Sequence, residues 1–74
     1  MELKYKEQKI RDLFVYHTGI YPVEINIHRH EVTIVVKEHD LQEKHIDADT
    51  IENVFTTLLG RKTILKMFKE DDLS

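Results

Sequence analysis

Five histidines scattered among fourteen carboxylates are the side chains of this 74-residue chain best suited to chemistry. Imidazole and carboxylate together can hold zinc, and imidazole can carry a proton near neutral pH. Their spacing argues against both uses. His28 and His30 would share one face of an unbroken strand, but the apolar pattern around them puts His30 in a turn. His39 and His45 are not spaced i, i+4 as a helical ligand pair would be. His17 falls on the apolar stripe of a helix, near its C-terminus, where positive charge is favoured. His28 opposite Glu31 could form an acid–base pair, but an exposed sheet face neither excludes water nor perturbs a pKa, so a simple cross-strand contact is the better reading. The only serine is Ser74, and Gly19 and Gly60 are the only glycines, so no phosphate-cradling loop exists. No cysteine is present, which excludes disulfides and thiol chemistry. The expectation is a non-enzyme with no catalytic residues, no metal ligands and no cofactor.

The basic residues form the second group. Arg61, Lys62, Lys66 and Lys69 follow one another without an intervening acid and could contact phosphates in a salt-dependent way. Lys4, Lys6, Lys9 and Arg11 could extend them. The alternative account is that acids at the start of a helix and bases at its end complement the macrodipole. A net charge of −3 and a pI of about 5.9 lack the basic signature of nucleic-acid domains. Leu59-Gly60-Arg61-Lys62 lacks the second glycine of the G-x-x-G loop with which KH-type domains clamp RNA, and no family is assigned. Nucleic-acid binding is therefore the alternative function.

These residues must be positioned by a small fold. From Val23 to Val36 the apolar positions alternate as Val23, Ile25 and Ile27, then change phase to Val32, Ile34 and Val36. One strand cannot change phase, but a hairpin turning near Arg29–His30 puts all six on one face. Residues 2–18 form an amphipathic helix with Leu3, Ile10, Leu13, Phe14 and His17 on its stripe, closed by Gly19. Residues 39–48 read as a loop with a helical turn, or a short strand near 43–46. A second helix begins at Asp49, with Glu52 completing a capping box and Asp47 as the alternative cap. Ile51, Val54, Phe55 and Leu58, then Ile64, Leu65 and Phe68, keep helical spacing, so this helix either ends at Gly60 or bends there.

The fold class expected is α+β, in the order α-β-β-α. A two-stranded antiparallel hairpin is covered on one face by two amphipathic helices. Residues 1–74 make one domain, and the acidic tail 70–74 frays. A hairpin alone leaves both edges unpaired. The β-rich second strand exposes the edge of Val32, Thr33, Ile34, Val35 and Val36. The function expected is a small cytoplasmic protein-interaction or regulatory module that pairs through that edge, with another protein or as a homodimer. Two copies so paired would make a four-stranded sheet. No apolar run is long enough to span a membrane.

Overall fold

The computed structural model describes residues 6–69. Helix α1 spans Glu7–Thr18, strand β1 Glu24–Ile27, strand β2 Glu31–Lys37, helix α2 Glu38–Lys44, helix α3 Ala48–Leu59 and strand β3 Lys62–Phe68. The strands form one sheet in the order β1-β2-β3, with β1 antiparallel and β3 parallel to β2.

Local chemistry sets the element ends. Gly19 takes φ 76° and donates its N–H to the Val15 carbonyl, which stops α1 in a left-handed turn. The Thr18 hydroxyl donates to the Phe14 carbonyl at 2.7 Å and accepts the Ile20 N–H at 3.0 Å. This satisfies a buried hydroxyl and steers Ile20 back into the core. Helix α2 follows β2 without a linker and ends at His45, itself left-handed at φ 56°. Asp47 is the N-cap residue of α3; its carboxylate accepts from the Thr50 hydroxyl at 3.0 Å. Gly60 takes φ 70° and donates to the Thr56 carbonyl, ending α3 and turning the chain into β3.

The core lies on one face of the sheet. Ile25, Val32, Ile34, Val36 and Leu65 meet Ile10 and Phe14 of α1, Leu41 of α2, and Phe55 and Leu59 of α3. Phe14 and Phe55 stack at 5.4 Å with a 50° tilt, and the His17 ring stands edge-on to Phe55 at 5.7 Å. Along β2, buried Val32, Ile34 and Val36 alternate with half-buried Glu31, Thr33, Val35 and Lys37. All three helices send their buried side chains to the first of these faces, so the second face is bare.

The hairpin register follows the apolar phases: Ile27 faces Val32 and Ile25 faces Ile34. The third expected pair differs. Val23 donates its N–H to the Val35 carbonyl at 2.7 Å, although Glu24 is the residue opposite Val35. Two residues then oppose one, a bulge that turns Val23 outward and leaves it 46% exposed.

Three expectations are corrected: the element order with its strand number, the helical reading of residues 62–68, and the capping box. The domain is α+β, but its order is α-β-β-α-α-β and its sheet has three strands, not two. Of the two readings of Gly60, the structure shows the helix ending there, and residues 62–68, expected to keep helical spacing, are a strand. In residues 39–48 the expected helical turn is present as most of α2, followed by the turn into α3, and the alternative strand near 43–46 is not formed. Glu52 does not close a capping box: its carboxylate leaves the helix and accepts the Leu65 N–H. Leu3 and the acidic tail 70–74 lie outside the described residues.

Candidate functional site

The edge expected to receive a partner, Val32 to Val36, is occupied. β3 pairs along the whole of β2, with Val32 opposite Thr63, Ile34 opposite Leu65 and Val36 opposite Met67. β2 is therefore the central strand, and the sheet's outer edges belong to β1 and β3.

The two outer edges differ in their hydrogen bonding. In a strand, successive backbone groups point alternately to either side. On β3, the amides of Thr63 and Leu65 point away from β2. The Thr63 N–H donates to the Thr56 hydroxyl at 2.9 Å, and the Leu65 N–H donates to a Glu52 carboxylate oxygen at 2.8 Å. Thr56 and Glu52 are four residues apart, one helical turn, so they align with alternate amides of the neighbouring strand. The side chains of α3 thus take the place of a fourth strand. Thr63, only 3% exposed, is satisfied as well through its hydroxyl, which donates to the Arg61 carbonyl at 3.1 Å.

On β1, the His28 N–H donates to the Glu31 carbonyl, which fixes the parity. Glu24, Asn26 and His28 direct their backbone groups to β2, and Ile25 and Ile27 direct theirs outward. Among the described residues, no hydrogen bond reaches those outward amides. Ile27 is 39% exposed at the end of the strand, and Val23 and Tyr21, before its start, are exposed too. The edge carries no lysine and no proline, and its one blunting feature is the bulge at Val23–Glu24.

The charged candidates divide between the two ends of the sheet. Arg61 donates from a guanidinium nitrogen to the His28 carbonyl at 2.7 Å, tying the loop after α3 to the hairpin turn of Arg29 and His30. Lys62 and Lys66 alternate along β3 on the bare face, beside Glu31 and Val35 of β2. Lys62 and Lys66 therefore stand on a strand and not on a helix, with Arg61 in the turn just before it. Lys69 is drawn to the other end, 3.7 Å from Glu38. That end carries a cleft of about 410 Å³ between α2, the α2–α3 turn and Met67, lined mainly by Leu41, Ile46, Ala48 and Met67.

The histidines do not converge. His39 sits 3.8 Å from Glu43 on α2, His45 caps that helix, His17 packs on Phe55, and His28 and His30 flank the hairpin turn. Among the described residues no three His, Asp or Glu side chains gather as metal ligands. No described helix is long and apolar enough to cross a membrane.

Sequence reasoning missed Glu52 and Thr56, the residues that distinguish the edges. Their i, i+4 spacing was visible, but it acquires meaning only once residues 62–68 are known to be a strand. No known family model, curated protein or solved structure matches the chain.

Proposed function

We propose that this chain is a small, non-catalytic protein-interaction module that associates through the outer edge of β1, to which an extended strand adds. One contrast supports the reading: α3 side chains cap two outward amides of β3, those of Thr63 and Leu65, whereas those of Ile25 and Ile27 bond to no described residue. Unpaired edge amides are a template for strand addition, and flanking apolar side chains supply the selectivity. Self-association is the simplest case, since a core this small gains from a covering copy.

The reading is tested by adding a blocked peptide of residues 21–29 to isotopically labelled protein and following each backbone amide by NMR. Shifts should concentrate at Ile25, Asn26 and Ile27 and spare Thr63 and Leu65. No shift at millimolar peptide, or shifts centred on β3, would overturn it.

A second reading is favoured by Arg61 and Lys62 lying with Arg29 and His30 at one end of the sheet, with Lys66 further along the same strand face. It is weak binding to the phosphates of a single-stranded nucleic acid. Such binding would fall steeply with added salt, while strand addition would not. Fluorescence anisotropy of a labelled oligonucleotide at two salt concentrations separates them.

A further inference from the structure

The open part of the β1 edge is short, and its shortness restricts what can fill it. Among the described residues, outward backbone groups of this edge without a partner are those of Ile25 and Ile27. On one side the Val23–Glu24 bulge turns Val23 toward Val35, and on the other His28 already bonds to Glu31. An added strand must therefore offer two outward-facing residues separated by one. β1 itself has this pattern.

Resting on the reading above, we infer that the strand added to β1 is β1 of a second copy, antiparallel, with the two-fold axis at Asn26. In this register Ile25 of each copy faces Ile27 of the other, and each such pair exchanges two backbone hydrogen bonds. Moving the axis to Ile25 or to Ile27 keeps only one such pair, because the bulge or the turn then stands opposite. Moving it by half a residue sets outward groups against inward ones and makes none. The two three-stranded sheets become one of six strands.

The side chains agree with this register on both faces. On the helix side, Ile25 meets Ile27 of the second copy, which removes exposed Ile27 from water. On the bare side, Glu24 lies opposite His28 of the second copy, a carboxylate facing an N–H donor. Asn26 lies opposite its own symmetry mate, and a carboxamide both donates and accepts. No like charges are placed opposite one another. The arrangement is isologous and closed, so it yields a dimer and no filament.

The absence of native cysteine makes the test direct. Positions 24, 26 and 28 would form non-hydrogen-bonded pairs, whose Cα atoms approach to about 4.5 Å, within disulfide range. Under mild copper–phenanthroline oxidation, Asn26→Cys should cross-link to itself. Glu24→Cys and His28→Cys should each form no cross-link alone and should cross-link when mixed. Thr33→Cys, beside Asn26 on the central strand, should not cross-link. Sedimentation of the unmodified chain should show a species of twice 8.9 kDa growing with concentration, and Ile27→Lys should weaken it at least ~tenfold.

A chain that stays monomeric, with no cross-link through position 26, overturns the second copy as occupant. If the peptide of residues 21–29 still shifts the Ile27 amide, the edge reading survives that result. A dimer that cross-links through 24 alone or 28 alone overturns the register. Cross-linking through position 33 in preference to 26 places the joint on the bare face and overturns both.

Discussion

The outer edges of β1 and β3 belong to the same sheet and are managed in opposite ways. β3 has a helix lying alongside it, and that helix lends Thr56 and Glu52 to the Thr63 and Leu65 amides. β1 is kept short by a bulge and a turn, and among the described residues nothing plays that part for the residues between them. A seven-residue strand left open would be a larger hazard than a four-residue one. The stronger device stands at the longer edge, which is what control of strand pairing requires. On the proposed reading, a second copy adds at the edge left open, in the register that pairs Ile25 with Ile27.

The contrast is most strongly broken by opening β3. Replacing Glu52 with Leu and Thr56 with Val together removes both acceptors and leaves two amides without partners at a partly buried position. We expect a loss of about 2–4 kcal/mol in chemical denaturation, with new self-association that Ile27→Lys does not suppress. Glu52→Gln keeps an acceptor oxygen and should retain most of the stability that Glu52→Leu loses, which separates the hydrogen bond from helix packing.

Gly60 is the hinge that lays β3 against α3. A Cβ there would meet nothing within 4 Å, so the cost of Gly60→Ala is the left-handed backbone alone. About 1–2 kcal/mol is expected by thermal or denaturant unfolding, with the association at β1 unchanged. At β1 the expected pattern is reversed. Ile27→Lys should change monomer stability by less than about 1 kcal/mol while weakening association. The smallest effect belongs to Lys69→Ala, which removes an exposed pairing with Glu38. A change within about 0.5 kcal/mol, and none in association, would show that this ion pair bears on neither edge.

Much of this was legible in the sequence, and the part that was not has a definite cause. The change of phase between Ile27 and Val32 gave the hairpin and its register, because one face is buried and a one-residue slip would expose it. Gly19 gave the end of α1 because only a left-handed residue fits there. β3 was hidden because Ile64, Leu65 and Phe68 combine both faces of a strand into what looks like a helical stripe. Thr63 is buried, whereas Ile64 and Phe68 lie on the bare face, so hydrophobicity does not alternate. With β3 unseen, β2 took the place of an edge strand, and Glu52 looked like half of a capping box. Its real partner is thirteen residues further on, across a turn. The open edge at Ile25 and Ile27 could be recognised only after the central strand had been identified.

Residue-resolved amide hydrogen exchange, followed from dilute to concentrated protein, tests the unequal edges most directly. The account predicts that the Leu65 and Thr63 amides are protected at every concentration. The Ile27 amide should exchange nearly freely when dilute and gain protection as the chain associates. Free exchange at Leu65, or an Ile27 amide already protected in dilute monomer, would contradict it.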